Sequence, residues 1–506
     1  MPHYKPTDRN AKFIPVVLSE QIQPSTFEFT LDHLIDHELD LSALDSRFKN
    51  DQTGASAYDP RVMMKIVLLA YSRGLISGRA IERACQQNVQ FMALSGDLSP
   101  SYTHIAKFVR ELGEQIKPLF TQVLITCDRM GLIGKELFAI DGVKLPSNAS
   151  KERSGTHAAL LHRAERLDKA AAKIINAHCA QDEAKGEQSL DARRQAQLDR
   201  IRKEAQAMRE FVALIVAKGQ PKRNAKGTEL KSNVTDNQSA KMATSKGVIQ
   251  GCSAQAAVDH AHQVIVAADV LGSGSEQAAL LPMVALAKPY ATSATVITAD
   301  AGYHSNENIE ALHAQNIPAM IADNAMRKRD ERLIDQGKHK GKPDPLHDKT
   351  RRKTKAKLFR PQDFTHDPDA NTCVCPAGKP MYSNGAHCVA NGRTHHKFTG
   401  SKGNCEPCEL RTQCLCTPEK TVVRQVAIFD KNQPSPHQAT ELMKRAIDSE
   451  HGRRTYGKRM GTVEPVFANL RHNKQLNRFT LRGRCKVDTQ WHLYCMVHNI
   501  EKIANR

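Results

Sequence analysis

The sequence lacks long apolar segments. No uninterrupted apolar stretch approaches the roughly 20 residues that a bilayer crossing needs. Residues 1–15 also lack the apolar centre of a signal peptide. These two absences argue against a membrane or secreted protein, and we expect a cytoplasmic chain with no membrane partner.

Acidic residues are scarcer than basic ones. The 506 residues include 73 Lys and Arg against 54 Asp and Glu, a formal net charge of +19. Nearly all of the excess lies in two windows, 327–360 and 453–486, each with a net charge of +9. Because clustered cations release phosphate counterions on binding nucleic acid, a nucleic acid is the leading candidate partner. The alternative is a solvated surface.

The two basic windows differ in character. The first contains Gly341, Pro343 and Pro345 and is predicted to be a loop. The second interleaves its charges with apolar residues, which predicts a folded helix over 453–474. Glu464 is the only acid in this second window. The charge of a folded basic segment is expected to face a partner.

A chain of this length holds about three domains. Near the start of the chain, the sequence pattern of residues 58–112 predicts three short helices. Asp59 is the expected N-cap of the first helix, and Pro60 its first helical residue. Short helices with tight turns are typical of a helix-turn-helix. A helical packing or dimerisation domain is the alternative, and both remain open.

Two apolar runs predict buried strands that end in an aspartate, at Asp141 and at Asp300. Glu464 is a third unexpected carboxylate. Three such acids can converge to hold two divalent ions about 4 Å apart for phosphoryl transfer. Oxygen ligands favour Mg or Mn. For each acid alone, the alternative is a helix cap or a salt bridge.

The segments between and after these strands complete the predicted organisation. Residues 151–218 are rich in Ala, Glu, Lys, Arg and Leu with apolar residues spaced three or four apart, which predicts a helical hairpin or coiled-coil insertion. Two strands are predicted over 248–258 and 263–270 as a hairpin, and a further strand over 317–321. Helices are predicted over 277–287, 306–315, 439–448 and 489–503. This order predicts an α/β fold with large insertions.

Cysteine is concentrated in one segment. Of 13 Cys, seven lie between residues 373 and 416, including the pair Cys405-x-x-Cys408. In a reducing cytoplasm such a cluster favours one structural zinc ion over a disulfide framework. Incidental reduced thiols are the alternative.

Four blocks of the sequence form a recognisable series. They are Phe138-Ala-Ile-Asp141-Gly142; Asn233-Val-Thr-Asp236 with residues 254–259 and 264–269; Thr298-Ala-Asp300-Ala-Gly302-Tyr303-His304-Ser305; and Tyr456, Arg459, Val463-Glu464-Pro465-Val466-Phe467 and Arg471. In this order they resemble the first-aspartate strand, the next two strands, the second-aspartate block and the Tyr-Arg-Glu-Lys signature of the bacterial insertion-sequence DDE transposases. Tyr58-Asp59-Pro60 and the helices after it resemble the family's N-terminal domain.

The resemblance implies an RNase H-like catalytic core in which Asp141, Asp300 and Glu464 hold two Mg (or Mn) ions. The enzyme would bind the terminal inverted repeats of its element, cleave the ends, and join them to target DNA. Since two ends must be cut and joined together, a homodimer on double-stranded DNA, associated with the nucleoid, is expected.

The resemblance also implies DNA contacts. Residues expected to grip phosphates or to orient a base are Tyr456, Arg459, Arg471 and Lys474. Four residues separate Arg459 from Glu464 where the signature commonly has three, so Lys458 is considered as a stand-in for Arg459; Arg471 stands where Lys is usual. Tyr303 and His304 are expected either to contact DNA, to orient water, or to pack.

The cysteine segment resembles that of the IS eleven-eighty-two-like transposases. This resemblance implies one structural Zn ion on Cys375, Cys405, Cys408 and Cys414, with Cys373 and Cys416 as alternates.

The expected domains are four. They are a helical N-terminal DNA-binding or dimerisation domain (1–125), the first part of the core (130–325) with its helical insertion (151–220), a basic loop and cysteine-rich insertion (326–435), and C-terminal helices that carry the catalytic glutamate (436–506). Two other functions remain open: a sequence-specific DNA-binding regulator without catalysis, and a stand-alone metal-dependent nuclease.

Overall fold

The structure is a computed structural model that describes residues 15–46, 56–185, 192–218, 221–223, 227–244, 247–331, 333, 358–385, 388–390, 393–429 and 437–506. At 178–185, 390 and 393 the description covers the backbone only. Most of the first basic window, at 332 and 334–357, lies outside the described residues. Among the described helices, none has the length and apolar character that a membrane crossing requires.

Seven helices precede the first strand in the described part of the chain. They are α1 (Phe27–His33), α2 (Ser42–Asp45), α3 (Pro60–Ser72), α4 (Gly78–Gln87), α5 (Val89–Ser95), α6 (Tyr102–Glu111) and α7 (Ile116–Arg129). The predicted start of α3 is confirmed, because Asp59 accepts a hydrogen bond from the Arg61 amide and Pro60 is the first helical residue. Helix α5 was not predicted; its N-cap is Asn88, whose side chain accepts from two backbone amides.

The described central part of the chain contains eight strands, six of which form one sheet and two a separate small sheet, with helices around them. Its elements are β1 (Leu137–Pro146), β2 (Ser154–Gly155), α8 (His157–Lys185), α9 (Ala192–Ala217), β3 (Ser232–Asn233), β4 (Ala240–Thr244), β5 (Gly247–Asp259), β6 (Ile265–Leu271), α10 (Leu280–Ala287), β7 (Val296–Ala299), α11 (Asn306–Ala314), β8 (Ala319–Ile321) and α12 (Met326–Arg329). The long helices α8 and α9, within the predicted insertion, pack along each other.

Strand β5 pairs with three other strands of the six-stranded sheet. It pairs antiparallel with β1 along one edge and with β4 and β6 along the other. Strand β7 then adds to β1 in parallel, and β8 adds to β7 in parallel. An antiparallel half and a parallel half therefore meet at β1, the strand that carries Asp141.

The cysteine segment forms a second sheet. Its strands are β9 (Thr365–Asp367), β10 (Thr372–Val374), β11 (Pro380–Ser383), β12 (Cys388–Ala390), β13 (Arg393–Thr399) and β14 (Gln425–Phe429), and two short helices, α13 (Lys402–Cys405) and α14 (Arg411–Cys414), precede β14. A small apolar core that includes Phe364 and Phe398 lies beneath the sheet.

Three helices complete the described chain: α15 (Gln438–Asp448), α16 (Glu450–Ala468) and α17 (Arg484–Ala504). Helix α17 is buried along most of its length and packs against α3, α7 and β6. The rings of Tyr71 and Tyr494 stack there with centroids 4.5 Å apart. The N-terminal helices, the sheet and the C-terminal helices therefore share one continuous hydrophobic core.

Candidate active site

Asp141 and Asp300 lie side by side. Strands β1 and β7 run parallel with Ile140 opposite Ala299, so the next residue on each is an aspartate. Asp141 Oδ1 accepts from the Gly142 amide at 2.8 Å, and Asp300 Oδ1 accepts from the Gly302 amide at 2.8 Å. The register of the parallel strands β1 and β7 therefore brings together Asp141 and Asp300, two of the three acids predicted to converge.

One detail of the prediction was wrong. The first strand does not end at Asp141 but continues to Pro146, because β5 pairs with β1 over nine residues, from Phe138 to Pro146. Asp141 thus projects from within a strand, whereas Asp300 follows the end of one.

Arg459 holds the carboxylate of Asp141. Its Nη1 lies 2.6 Å from Asp141 Oδ2, and the two side chains are 10% and 19% exposed. The Arg459 guanidinium also lies 5.7 Å from the centroid of the Tyr456 ring. Helix α16 is fixed against the sheet by His260 Nδ1, 2.9 Å from Thr462 Oγ1. Arg459 therefore supplies the positive charge that balances Asp141.

Glu276 is a third carboxylate near the aspartates, and the sequence interpretation missed it. It lies between β6 and α10, accepts a hydrogen bond from Ser253 Oγ at 3.1 Å, and is 3.8 Å from Lys144 Nζ. Its sequence signal is weaker than that of Asp300, because Glu276 follows the end of β6 by five residues and stands one position before the helical turn Gln277–Ala279, whereas Asp300 follows β7 directly.

The electrostatics couple these acids. Burial raises the pKa of Asp141; the Arg459 charge and the Gly142 amide oppose the rise, and Asp300 adds to it. Burial likewise raises the pKa of Glu276, with Lys144 and Ser253 opposing and both aspartates adding. Each carboxylate thus experiences the negative charge of its neighbours, which a divalent cation would relieve.

The donor chemistry fits a hard cation. The acids offer oxygen ligands, which Mg and Mn prefer. A β-carbon at Gly302 would come within 2.9 Å of Asp300 Oδ1 and 3.1 Å of Glu276 Oε2, so the absence of a side chain leaves room between these oxygens. Within the described residues, however, no group of three or more His, Cys, Asp or Glu is close enough to hold a metal ion. The acids are therefore neighbours of suitable chemistry, but in this structure they do not form a set of metal ligands.

Glu464 lies apart from the aspartates. It is exposed on α16, whereas Arg459, five residues earlier, is buried against Asp141. Five residues correspond to about 140° around a helix, so the two side chains point in different directions. Asp300 is among the charges that raise the pKa of Asp141 and Glu464 is not, and among the described residues no third acid joins the two aspartates in a metal-ligating group. The structure thus brings together two of the three predicted acids.

Two family models match the chain. One, described as a transposase DDE domain, matches residues 374–504, and the other, described as a transposase domain (DUF772), matches residues 16–111. These matches support a DDE transposase. No curated protein matches the chain. The first match includes Arg459 and Glu464, and the second covers helices α1 to α6.

Besides Arg459, two of the cations expected to bind DNA form ion pairs within the protein. Lys474 is 1% exposed, and its Nζ lies 2.5 Å from Glu501 Oε2. Burial lowers the pKa of Lys474, and Glu501 opposes this shift. In this structure Lys474 is therefore a structural residue and not a phosphate contact. Lys458 Nζ lies 2.9 Å from Glu136 Oε1 and remains partly exposed, so a phosphate could reach it.

Arg471 lies in the π-helical turn Asn469–Asn473 that follows α16. Its side chain is partly exposed, and its Nε is buried without a hydrogen-bond partner. Arg471 and the partly exposed Tyr456 therefore remain available in part to a ligand.

Tyr303 and His304 differ in accessibility. Tyr303 is fully buried and its hydroxyl donates to Gln255 Oε1, so in this structure it packs and does not face DNA. His304 is half-buried, and its Nε2 has no hydrogen-bond partner. Burial lowers the pKa of His304, with Asp323 opposing.

The four cysteines predicted to bind zinc line one cavity in the second sheet. Cys375 follows β10, Cys405 and Cys408 lie at and after α13, and Cys414 ends α14. Burial raises the pKa of Cys414; Arg424 opposes the rise, and Cys405, Cys375 and Cys408 add to it. Of the alternates, Cys373 is buried in the small apolar core and Cys416 is exposed. The predicted set converges, although the described thiols do not form a metal-ligating group.

Proposed function

We propose that this protein is a DNA transposase that binds the terminal inverted repeats of an insertion sequence, cleaves the DNA ends and joins them to target DNA. The observation that carries the proposal is the pair Asp141 and Asp300 on neighbouring parallel strands, in a chain that matches two transposase family models. The neighbouring carboxylates are what two-metal phosphoryl transfer requires.

The strand order supports an RNase H-like core. Strands β6, β5 and β1 form an antiparallel meander, and β7 and β8 extend it in parallel. Helix α16 then lies against β1 and carries Arg459 to the carboxylates. The helical insertion and the cysteine-rich insertion are peripheral to this core in the proposal.

In the proposed reaction Asp141, Asp300 and Glu464 would hold two Mg or Mn ions. Such ions would supply Lewis-acid activation of the attacking oxygen and would stabilise the charge on the leaving oxygen. Asp141 would be free to bind a cation once Arg459 left it, and the released guanidinium could then bind a phosphate bidentately. Because Glu464 now lies on another face of α16, it reaches the aspartates only after that helix rotates.

The proposed DNA surface runs along α16 and the turn after it, where Tyr456, Lys458, Arg459 and Arg471 lie. The N-terminal helices α4 and α6 supply a second contact, with Arg79 and Arg83 beside Tyr102. A homodimer on DNA brings two such surfaces to the two element ends.

A structural zinc ion is also proposed, on Cys375, Cys405, Cys408 and Cys414, as in the IS eleven-eighty-two-like group. The convergence of these thiols in one cavity supports it. Four thiolates would close the coordination shell and fix the loops between β10 and β14 without a catalytic role.

The test is incubation of the purified protein with a supercoiled plasmid that carries both element ends and Mg²⁺. We expect nicks at the ends followed by insertion into a second plasmid, and loss of both products in Asp141→Asn, Asp300→Asn and Glu464→Gln. End binding without nicking would identify a regulator instead. Cleavage without insertion would identify a stand-alone nuclease.

A further inference from the structure

We propose that Arg478 and Arg482 form a phosphate clamp, a pair of arginines that holds the backbone of the element-end DNA at a distance from the cleaved bond. This inference rests on the proposed function and extends its DNA surface beyond α16. The clamp lies in the loop 474–483, between the turn Asn469–Asn473 and α17. This loop contains three cations and no acid. The third cation, Lys474, is paired inside the protein.

The loop presents the two arginines on its exposed side. Arg478, Thr480 and Arg482 are exposed, whereas Phe479 is fully buried and Leu481 is partly buried. Phe479 belongs to the large hydrophobic core and therefore anchors the loop. Because exposed and buried residues alternate along this segment, both arginines face solvent while the residues between them pack inward.

One residue, Asn148, holds both arginines in place. Its Oδ1 accepts from Arg478 Nη2 at 3.4 Å, and its main-chain oxygen accepts from Arg482 Nε at 2.7 Å. Its Nδ2 donates to the main-chain oxygen of Thr480 at 2.9 Å. Since both acceptors belong to one residue, the two donor nitrogens lie within about 11 Å of each other. That distance is at most about three base-pair steps along one DNA strand.

The contacts with Asn148 leave the charge of both arginines unbalanced. Asn148 is neutral, and in the part of the chain that the structure describes neither arginine forms an ion pair. Arg484, at the start of α17, is by contrast paired with Asp269 at 3.2 Å. A guanidinium has five N–H donors, so most of them remain for a ligand. Arginines that are already ordered lose less conformational entropy on binding, and their planar fork matches a phosphate.

The position of the loop sets the distance between the clamp and the aspartates. The Phe479 amide donates to the carbonyl oxygen of Pro146, the last residue of β1, at 2.8 Å. Asp141 lies five residues earlier on β1, about 17 Å away at about 3.3 Å per residue. For a duplex that lies along β1, this distance corresponds to about five base pairs. The clamp therefore contacts phosphates about five base pairs from the cleaved bond.

The test is the salt dependence of binding between the full-length protein and an element-end duplex, measured by fluorescence anisotropy. Each phosphate contact contributes about 0.9 to the slope of log K against log salt concentration, so Arg478→Gln with Arg482→Gln should reduce the slope by about 1.8. A duplex of unrelated sequence should show the same loss, because phosphate contacts carry no sequence information. The matched control is Arg200→Gln, an exposed arginine of α9 in the helical insertion, which should keep the wild-type slope.

A second double variant separates charge from a role in fastening the loop. Arg478→Lys with Arg482→Lys keeps both charges and should keep most of the wild-type slope, and circular dichroism of each variant verifies folding. Ethylation interference then locates the contacts. The phosphates whose ethylation weakens binding by the wild type but not by the glutamine variant should lie about five base pairs from the mapped nick.

The outcomes separate failure of the clamp from failure of the proposed function. An unchanged slope in the glutamine variant, with wild type that still binds and nicks element ends, refutes the clamp and leaves the proposed function standing. Equal slopes in the glutamine and lysine variants, an equal loss in Arg200→Gln, or lost interference only beside the nick also refute the clamp. If the wild type binds neither duplex, the proposed function fails and the clamp fails with it.

Discussion

Replacing Arg459 by glutamine is expected to destabilise the metal-free protein and to make its stability depend strongly on metal. The guanidinium and the Asp141 carboxylate are 2.6 Å apart and 10% and 19% exposed. Glutamine is shorter and neutral, so it leaves Asp141 and Asp300 as neighbouring, partly buried acids without their cation.

The expected loss of stability follows from the burial of the Arg459–Asp141 ion pair. Removing one partner of a buried pair costs about 3 to 5 kcal/mol, because the remaining charge is buried without compensation. The residual exposure of Asp141 places this site at the lower end, about 3 kcal/mol. For a unit of 150–250 residues, 1 kcal/mol shifts the Tm by about 2–4 °C, and the shift becomes smaller as the unit grows. Because the N-terminal helices, the sheet and the C-terminal helices share one larger core, a fall of about 6 °C or less is expected.

The assay is thermal unfolding by circular dichroism in EDTA and then in Mn²⁺. The matched control is Arg454→Gln on the same helix: Arg454 is 78% exposed, and its pair with Glu450, at 3.2 Å, is a surface contact. Such pairs contribute about 0.3–0.5 kcal/mol, so the control should lose 2 °C or less. Mn²⁺ should raise the Tm of Arg459→Gln more than that of the wild type, because the ion replaces the missing cation.

Two results would refute this reasoning. The first is an Arg459→Gln protein in EDTA that unfolds at the same temperature as Arg454→Gln. The second is equal stabilisation of Arg459→Gln and wild type by Mn²⁺, which would mean that Arg459 and the metal do not compete for Asp141.

The pKa values of Asp141 and Glu276 are raised above the ordinary 3.8 and 4.5, so the folded protein binds their protons more tightly than the unfolded chain does. Metal-free stability should therefore fall as pH rises from about 4.5 through the raised pKa values, and the Tm advantage of Glu276→Gln should grow with pH in EDTA; a constant advantage contradicts this. Lys474→Met leaves Glu501 without its buried partner and should lower stability by about 3 kcal/mol in chemical denaturation, while the salt dependence of DNA binding stays unchanged. Cys408→Ser should lose the zinc measured by atomic emission and melt the second sheet, whereas zinc retention at the wild-type level would exclude the proposed ligand.

Much of the fold could be predicted from local signals. The cap at Asp59, the paired strands β5 and β6 and the aspartate after β7 have strong sequence patterns, and the structure contains each of them. The length of β1 could not be predicted, because residues beyond Asp141 are held in the strand by pairing with β5, a contact more than 100 residues away.

The site was predictable in part, for physical reasons. Asp141 and Asp300 follow apolar runs, and parallel strands then place them side by side. The direction in which the Glu464 side chain points depends on which face of α16 packs against the sheet. The spacing of residues along the chain does not determine that face. Lys474 looked like a DNA contact because its acidic partner Glu501 lies 27 residues later in the sequence.

The central claim is that Asp141 takes part in metal-dependent cleavage of DNA, and end-specific nicking tests it most directly. Wild type and Asp141→Asn are compared on a supercoiled plasmid with both element ends, with Mg²⁺ or EDTA, and end binding is measured in parallel by mobility shift. We predict equal binding by both proteins, nicks by the wild type only with Mg²⁺, and no nicks by Asp141→Asn. Nicking by Asp141→Asn at the wild-type rate, or bound wild type that never nicks with Mg²⁺, would contradict the claim.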